Sequence, residues 1–197
     1  MMTNSQTSLH QDKHLGARFL RDQRGVAAVE FILIAPMMLV LMFGTVQFTS
    51  AYAAARKLTQ VAHTMSDLIS QAATVGSCDI TNALKVGNVI MSPYPVSTLT
   101  GTISEVYIDP TTLKATIVWS QGKSPHGTGS AVTLPAGIAI GGKYLIMSEV
   151  TYDYQPLVGF DASSGFISQI FHWTRTTYSG PRQSADVRWD STLPSCT

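Results

Sequence analysis

From Phe31 to Ala55 no side chain carries a formal charge. As a helix rising 1.5 Å per residue, that run would be about 37 Å long, against a membrane hydrocarbon core of about 30 Å. A buried helix of a soluble protein is the alternative, but such helices rarely extend this far without a polar face. The expectation is a membrane-spanning helix. A short basic leader carrying Lys13, Arg18, Arg21 and Arg24 precedes it. Gly25 follows the leader, and five residues later Glu30 places one carboxylate at the head of the run. A carboxylate at mid-bilayer costs about 2.5–3.5 kcal/mol, and less near the edge, so a mere anchor has no use for one there.

The segment Gly25-Val26-Ala27-Ala28-Val29-Glu30-Phe31 resembles the processing site of type IV pilins and pseudopilins. The wider stretch from Arg24 to Ala55, with Pro36 and Gly44-Thr45-Val46-Gln47-Phe48, is similar to TadE-like minor pseudopilins of tight-adherence (Tad/Flp) pilus systems. The resemblance implies cleavage after Gly25 by a prepilin peptidase, so that Val26 becomes the first residue and Glu30 the fifth, with Phe31 beside it. It further implies other pilins and pseudopilins as partners.

Charge flanks set the expected orientation. Four basic residues lie before the span, and Arg56 and Lys57 lie just after it. The positive-inside rule then places the N-terminus in the cytoplasm of a bacterium and the C-terminal domain in the periplasm, anchored once in the inner membrane. A cleaved signal peptide ending at Ala51-Tyr52-Ala53 is a rival, but its apolar run would exceed the usual 7–15 residues.

The expected organisation is a leader over residues 1–25, a transmembrane helix over 26–50, an amphipathic periplasmic helix over 51–76 and a β-rich periplasmic domain over 77–197. Residues 1–15 are polar and aperiodic. Leu58, Val61, Met65, Leu68 and Ala72 recur at helical steps, with Thr59, Gln60, His63, Ser66, Asp67 and Ser70 on the other face. Gly76 is the expected C-terminal cap. Residues 102–108 and 113–119 flank the turn signal Asp109-Pro110-Thr111-Thr112 and predict an antiparallel hairpin. Residues 144–154 form a further alternating segment, with Ile146, Val150, Tyr152 and Tyr154 opposite Met147, Glu149, Thr151 and Asp153. A fourth segment runs over 166–178 and could open as a short helix; beyond Ser179 the chain reads as irregular.

A long amphipathic helix and a small antiparallel meander each need an apolar surface to cover. The predicted fold class is therefore α+β, and the resemblance makes it pilin-like, with the long N-terminal helix packed on a small sheet. Residues 132–137, 149–157 and 178–182 are similar, more weakly, to TadE-like periplasmic domains.

Cys78 and Cys196 are the only two cysteines, in no metal-ligand spacing. Both lie beyond the span, on the side expected to be oxidising, so a disulfide is predicted, with two free thiols as the alternative.

Thirteen basic residues against 12 acidic ones leave no electrostatic footprint for nucleic acid. Gly122-Lys123-Ser124 looks like the end of a phosphate loop, yet Ile117 stands where that motif needs glycine. No Gly-x-Ser-x-Gly elbow anchors a hydrolase triad. His10 and His14 are four apart in the tail, His63 reads as a solvated helix residue, and His126 and His172 have no carboxylate or cysteine at ligand spacing. Tyr152, Tyr154, Phe171 and Trp173 read as strand packing rather than a binding surface. No catalytic residue, metal, cofactor or small-molecule substrate is expected.

Two functions fit: a minor pseudopilin cut after Gly25, and an uncleaved membrane-tethered periplasmic binding domain working through residues 121–129. Glu30 favours the first.

Overall fold

The computed structural model describes residues 24–135, 137–154, 171–194 and 196. The leader, the His10/His14 tail, Ala136 and the segment 155–170, including the expected start of the fourth segment at Phe166, lie outside the described residues.

Helix α1 (Arg24–Ser70) continues through Pro36. The chain divides into two compact units, residues 1–46 and 47–197. In the first, the large apolar side chains from Val26 to Val46 are exposed. This part of α1 is long and apolar enough to cross a membrane by length and composition, with an 18-residue window of mean hydropathy 2.5, none of it buried.

The second unit contains the remainder of α1, then β1 (Thr74–Val75), α2 (Ser77–Met91), β2 (Thr100–Ile108), β3 (Ala115–Gly122), β4 (Ala131–Val132), β5 (Tyr144–Tyr154), β6 (Phe171–Ser179) and β7 (Arg188–Trp189). Strands β4-β3-β2-β5-β6 form an antiparallel sheet, while β1 and β7 make a short parallel pair. The fold is α+β, with the second half of the long helix lying against the sheet, as expected. The hairpin turn and the bounds of the 144–154 strand also stand as expected.

The helix differs in three ways. It ends at Ser70, not Gly76, and Gly76 instead caps the start of α2. The Asp79 carboxylate accepts the Gly76 N–H at 2.8 Å, the reaching-back half of a capping arrangement. Helix α2 itself was not expected, although Ile80, Ala83, Gly87 and Met91 line its buried side at helical steps. Finally, the buried face is wider than the predicted stripe: Ala54, Leu58, Val61, Ala62, Met65 and Ile69 are buried, as are Ser66 and Ser70, whereas Leu68 is exposed. The reason is that α1 meets two elements, the sheet and α2, where Gly87 allows close approach to Val61. The two serines tolerate burial because their hydroxyls are satisfied, Ser66 donating to the Ile146 carbonyl and Ser70 to the Asp67 carbonyl.

A bulge in β3 decides the faces of the sheet. Glu105 pairs with Trp119 and Val106 with Ile117, so Val118 is an extra residue. Trp119 therefore joins Ile103, Ile146 and Val150 beneath α1, while Ala115 and Ile117 pack with Val106, Ile108 and Met147 on the opposite face. Met147, on the face opposite Ile146 as expected, is buried there.

Candidate functional site at the head of the long helix

Gly25, Val26, Glu30 and Phe31 all lie in the first turns of α1. Val26 and Glu30, four apart, share one face. Both are exposed, as is Phe31 at 71 %. Among the described residues Glu30 has no ion-pair partner. Among the described residues a Cβ built at Gly25 meets nothing within 4 Å, and its backbone is not in the left-handed region. The fold therefore does not require glycine at 25, nor a carboxylate at 30.

The other predicted pair is brought together. Cys78, in the first turn of α2, and Cys196 are joined by a disulfide with Cα atoms 4.8 Å apart. The chain leading to it is also tied to the end of α1. Arg182 N–H donates to the Ser70 carbonyl at 2.9 Å, Arg188 N–H to Ala73 at 3.0 Å and Asp190 N–H to Val75 at 2.9 Å. Arg182 also pairs with Asp67. Among the described residues beyond Ser179 the chain is irregular except for β7, and these contacts anchor it at Arg182, Arg188, Asp190 and Cys196.

The isolated histidines of the sequence are not isolated in space. His126 Nε2 meets Glu149, and His172 Nδ1 meets Asp153 Oδ1 at 2.6 Å across neighbouring strands β5 and β6. Each has a single carboxylate, and both sites are solvated; among the described residues no group of three His, Cys, Asp or Glu side chains is placed to hold a metal. The Gly122-Lys123-Ser124 stretch closes strand β3: Lys123 N–H donates to the Gly101 carbonyl and Gly122 sits at φ +136°. Of the four aromatics, Tyr152 and Tyr154 are buried and Trp173 packs on the core, as read from the sequence, but Phe171 is exposed.

Glu105 was missed. It is 1 % exposed on the helix-facing side of β2. Its Oε1 accepts the Val187 N–H at 2.6 Å, while Trp119 Nε1 donates to the Val187 carbonyl at 2.7 Å. Burial pushes its carboxyl up to about 7 from an ordinary 4.5, opposed by the Val187 hydrogen bond and reinforced by the nearby Asp186 charge. Its position, in phase with Ile103, was the available signal.

Residues 25–65 match the family model for TadE-like proteins. This segment is TadE-like. The TadE-like segment takes in Gly25, Glu30, the whole apolar run and the first buried turns of α1 in the second unit. It ends before β1, so the similarities seen at 132–137, 149–157 and 178–182 lie outside it. No curated protein and no solved structure matches the chain. The TadE-like segment and its apolar helix point to a Tad pilus-related protein associated with a membrane.

Proposed function

We propose that the chain is a minor pseudopilin of a Tad (Flp) pilus system, cut after Gly25 by a prepilin peptidase and assembling through its N-terminal helix. One observation carries this reading: the TadE-like segment presents Gly25 and Glu30 on a helix that buries nothing over residues 26–46, where the fold asks for neither residue. Exposed apolar area of that extent is matched by lipid before assembly and by neighbouring helices after it.

In this reading residues 1–25 stay in the cytoplasm, 26–50 span the inner membrane, and the disulfide-bonded domain lies in the periplasm, which suits the Cys78–Cys196 bond. Cleavage leaves the Val26 α-amino group about one turn from Glu30. Both charges are poorly solvated at the membrane edge, so the Glu30 carboxylate gains most by pairing with the amine of a neighbouring subunit. The role is structural, and no catalytic step is assigned.

A photoreactive amino acid at Phe31, in cells carrying the complete pilus system, tests the assembly. An adduct with another pilin or pseudopilin is expected. Adducts with lipid alone, at normal protein levels, would leave only the tethered domain.

A further inference from the structure

Where the long helix leaves its apolar run, the second unit holds an open apolar groove of about 340 Å³ lined by Phe48, Ala51, Tyr52, Ala55, Phe171 and Trp173. The helix wall repeats at i, i+3, i+4 and i+7, a single face. The opposite wall is the start of edge strand β6, whose Phe171 and Trp173 sit on its helix-facing side, in register with Tyr154 and Tyr152. Phe48 is 75 % exposed, Tyr52 59 % and Phe171 44 %. Three large rings open to water at one spot need a partner.

The wall is also held rigidly. Trp173 stacks on buried Tyr154 at 5.4 Å between ring centroids, Phe171 stacks on Trp173 at 6.1 Å, and Tyr94 meets Tyr154 edge-on while donating its hydroxyl to the Ser50 carbonyl. Phe171 is therefore presented from the core outward on a fixed ladder of rings.

We infer that this groove seats the domain on the outer face of the bilayer, with Phe48, Tyr52, Phe171 and Trp173 lodged in the lipid headgroup layer. The inference rests on the reading of residues 26–50 as a membrane span. From Val26 to Phe48 the helix rises about 33 Å, which uses up a hydrocarbon core of about 30 Å, so Phe48 to Ala55 must pass the headgroup layer. Tyrosine and tryptophan prefer that layer, where the ring is apolar on one side and the polar tip stays wet. The first charge after the run is Arg56, exposed one residue beyond the groove and placed to meet lipid phosphate. A lipid surface satisfies all of these at once. Phe48, at the end of the apolar run in sequence, is itself a groove residue, and within the second unit Phe171 and Trp173 bring the edge of the sheet alongside Phe48 to Ala55.

Nitroxide labels on single cysteines, in the full chain reconstituted into phosphatidylcholine/phosphatidylglycerol vesicles, test this by comparing collision with oxygen, which concentrates in lipid, and with a water-soluble nickel chelate. The labels replace Phe171, Phe48 and, as the aqueous reference, the exposed Val89; the disulfide-bonded cysteines take none. The proposal expects an oxygen-to-nickel ratio at 171 severalfold above that at 89 and close to that at 48. A ratio at 171 equal to that at 89, with 48 still lipid-like, overturns the seating and leaves the span intact. Low collision with both reagents at 171 overturns it in favour of a protein occupant such as a second copy. A water-like ratio at 48 overturns the span itself, and the seating with it.

Discussion

The Glu105 carboxylate and the Val187 amide lie 82 residues apart in the chain and 2.6 Å apart in the fold. Through this contact the centre of the sheet holds the C-terminal segment that β7 and the disulfide pin beside α1 and α2. The bond is made by a carboxyl group that burial disfavours as an anion, so holding the segment is linked to pH.

Between pH 4.5 and about 7 the folded protein keeps a proton on Glu105 that the unfolded chain releases, so this group's contribution to stability falls as pH rises through that window. The whole displacement is worth about 3 kcal/mol. Denaturant midpoints measured from pH 4 to 8 should show the decline in the wild type and a flatter profile in Glu105→Gln, which keeps an oxygen for the Val187 N–H. Parallel profiles for the two proteins would show that Glu105 is not the titrating group.

Gly122 is confined by backbone. Its φ is +136°, and a Cβ there would lie 2.3 Å from the Gly101 carbonyl oxygen. Gly122→Ala should cost about 2–4 kcal/mol, combining strain with displacement of β2. Gly129, at φ +81° with nothing within 4 Å of a Cβ, is the control, and its alanine variant should cost about 1 kcal/mol. Equal losses at both positions would remove the steric explanation.

The disulfide closes a separation of 118 residues, for which chain entropy gives about 5 kcal/mol less any strain. Denatured, unreduced protein should react with no thiol reagent, and reduction should lower the unfolding midpoint sharply. Two reactive thiols in protein recovered from the periplasmic side would contradict the bond and the compartment together.

Glu30→Gln removes the charge and keeps the size of a residue that contacts nothing charged among the described residues. The variant should insert and be cut, yet lose the Phe31 photoadduct with other pilins and fail to support piliation. Normal piliation at normal protein levels would reduce Glu30 to a boundary residue reaching the headgroups.

The helix was legible because an uncharged run and a 3.6-residue repeat are written locally, and so were the hairpin turn at Asp109–Thr112 and the strand 144–154. The features missed depend on partners distant in sequence. Ser66 and Ser70 read as solvated until α2 and the sheet close around them. Ala115, Ile117 and Trp119 look like one face of a strand, and only the bulge at Val118 turns Trp119 to the other side. Glu105 is in phase with Ile103, but nothing near it in sequence announces Val187 as its partner. Gly25 and Glu30 are the converse case: both are conspicuous in the sequence, and among the described residues the fold gives neither a task.

The most direct test of the account is the intact mass of the protein made in cells with and without the prepilin peptidase. With the peptidase, the account predicts a chain that has lost residues 1–25 and begins Val26-Ala27-Ala28-Val29-Glu30; without it, or with a bulky residue in place of Gly25, the leader stays. Because a Cβ at Gly25 meets nothing among the described residues, that variant should keep wild-type stability, so a lost cut reports on the protease alone. A wild-type mass that retains the leader in peptidase-competent cells would contradict the account.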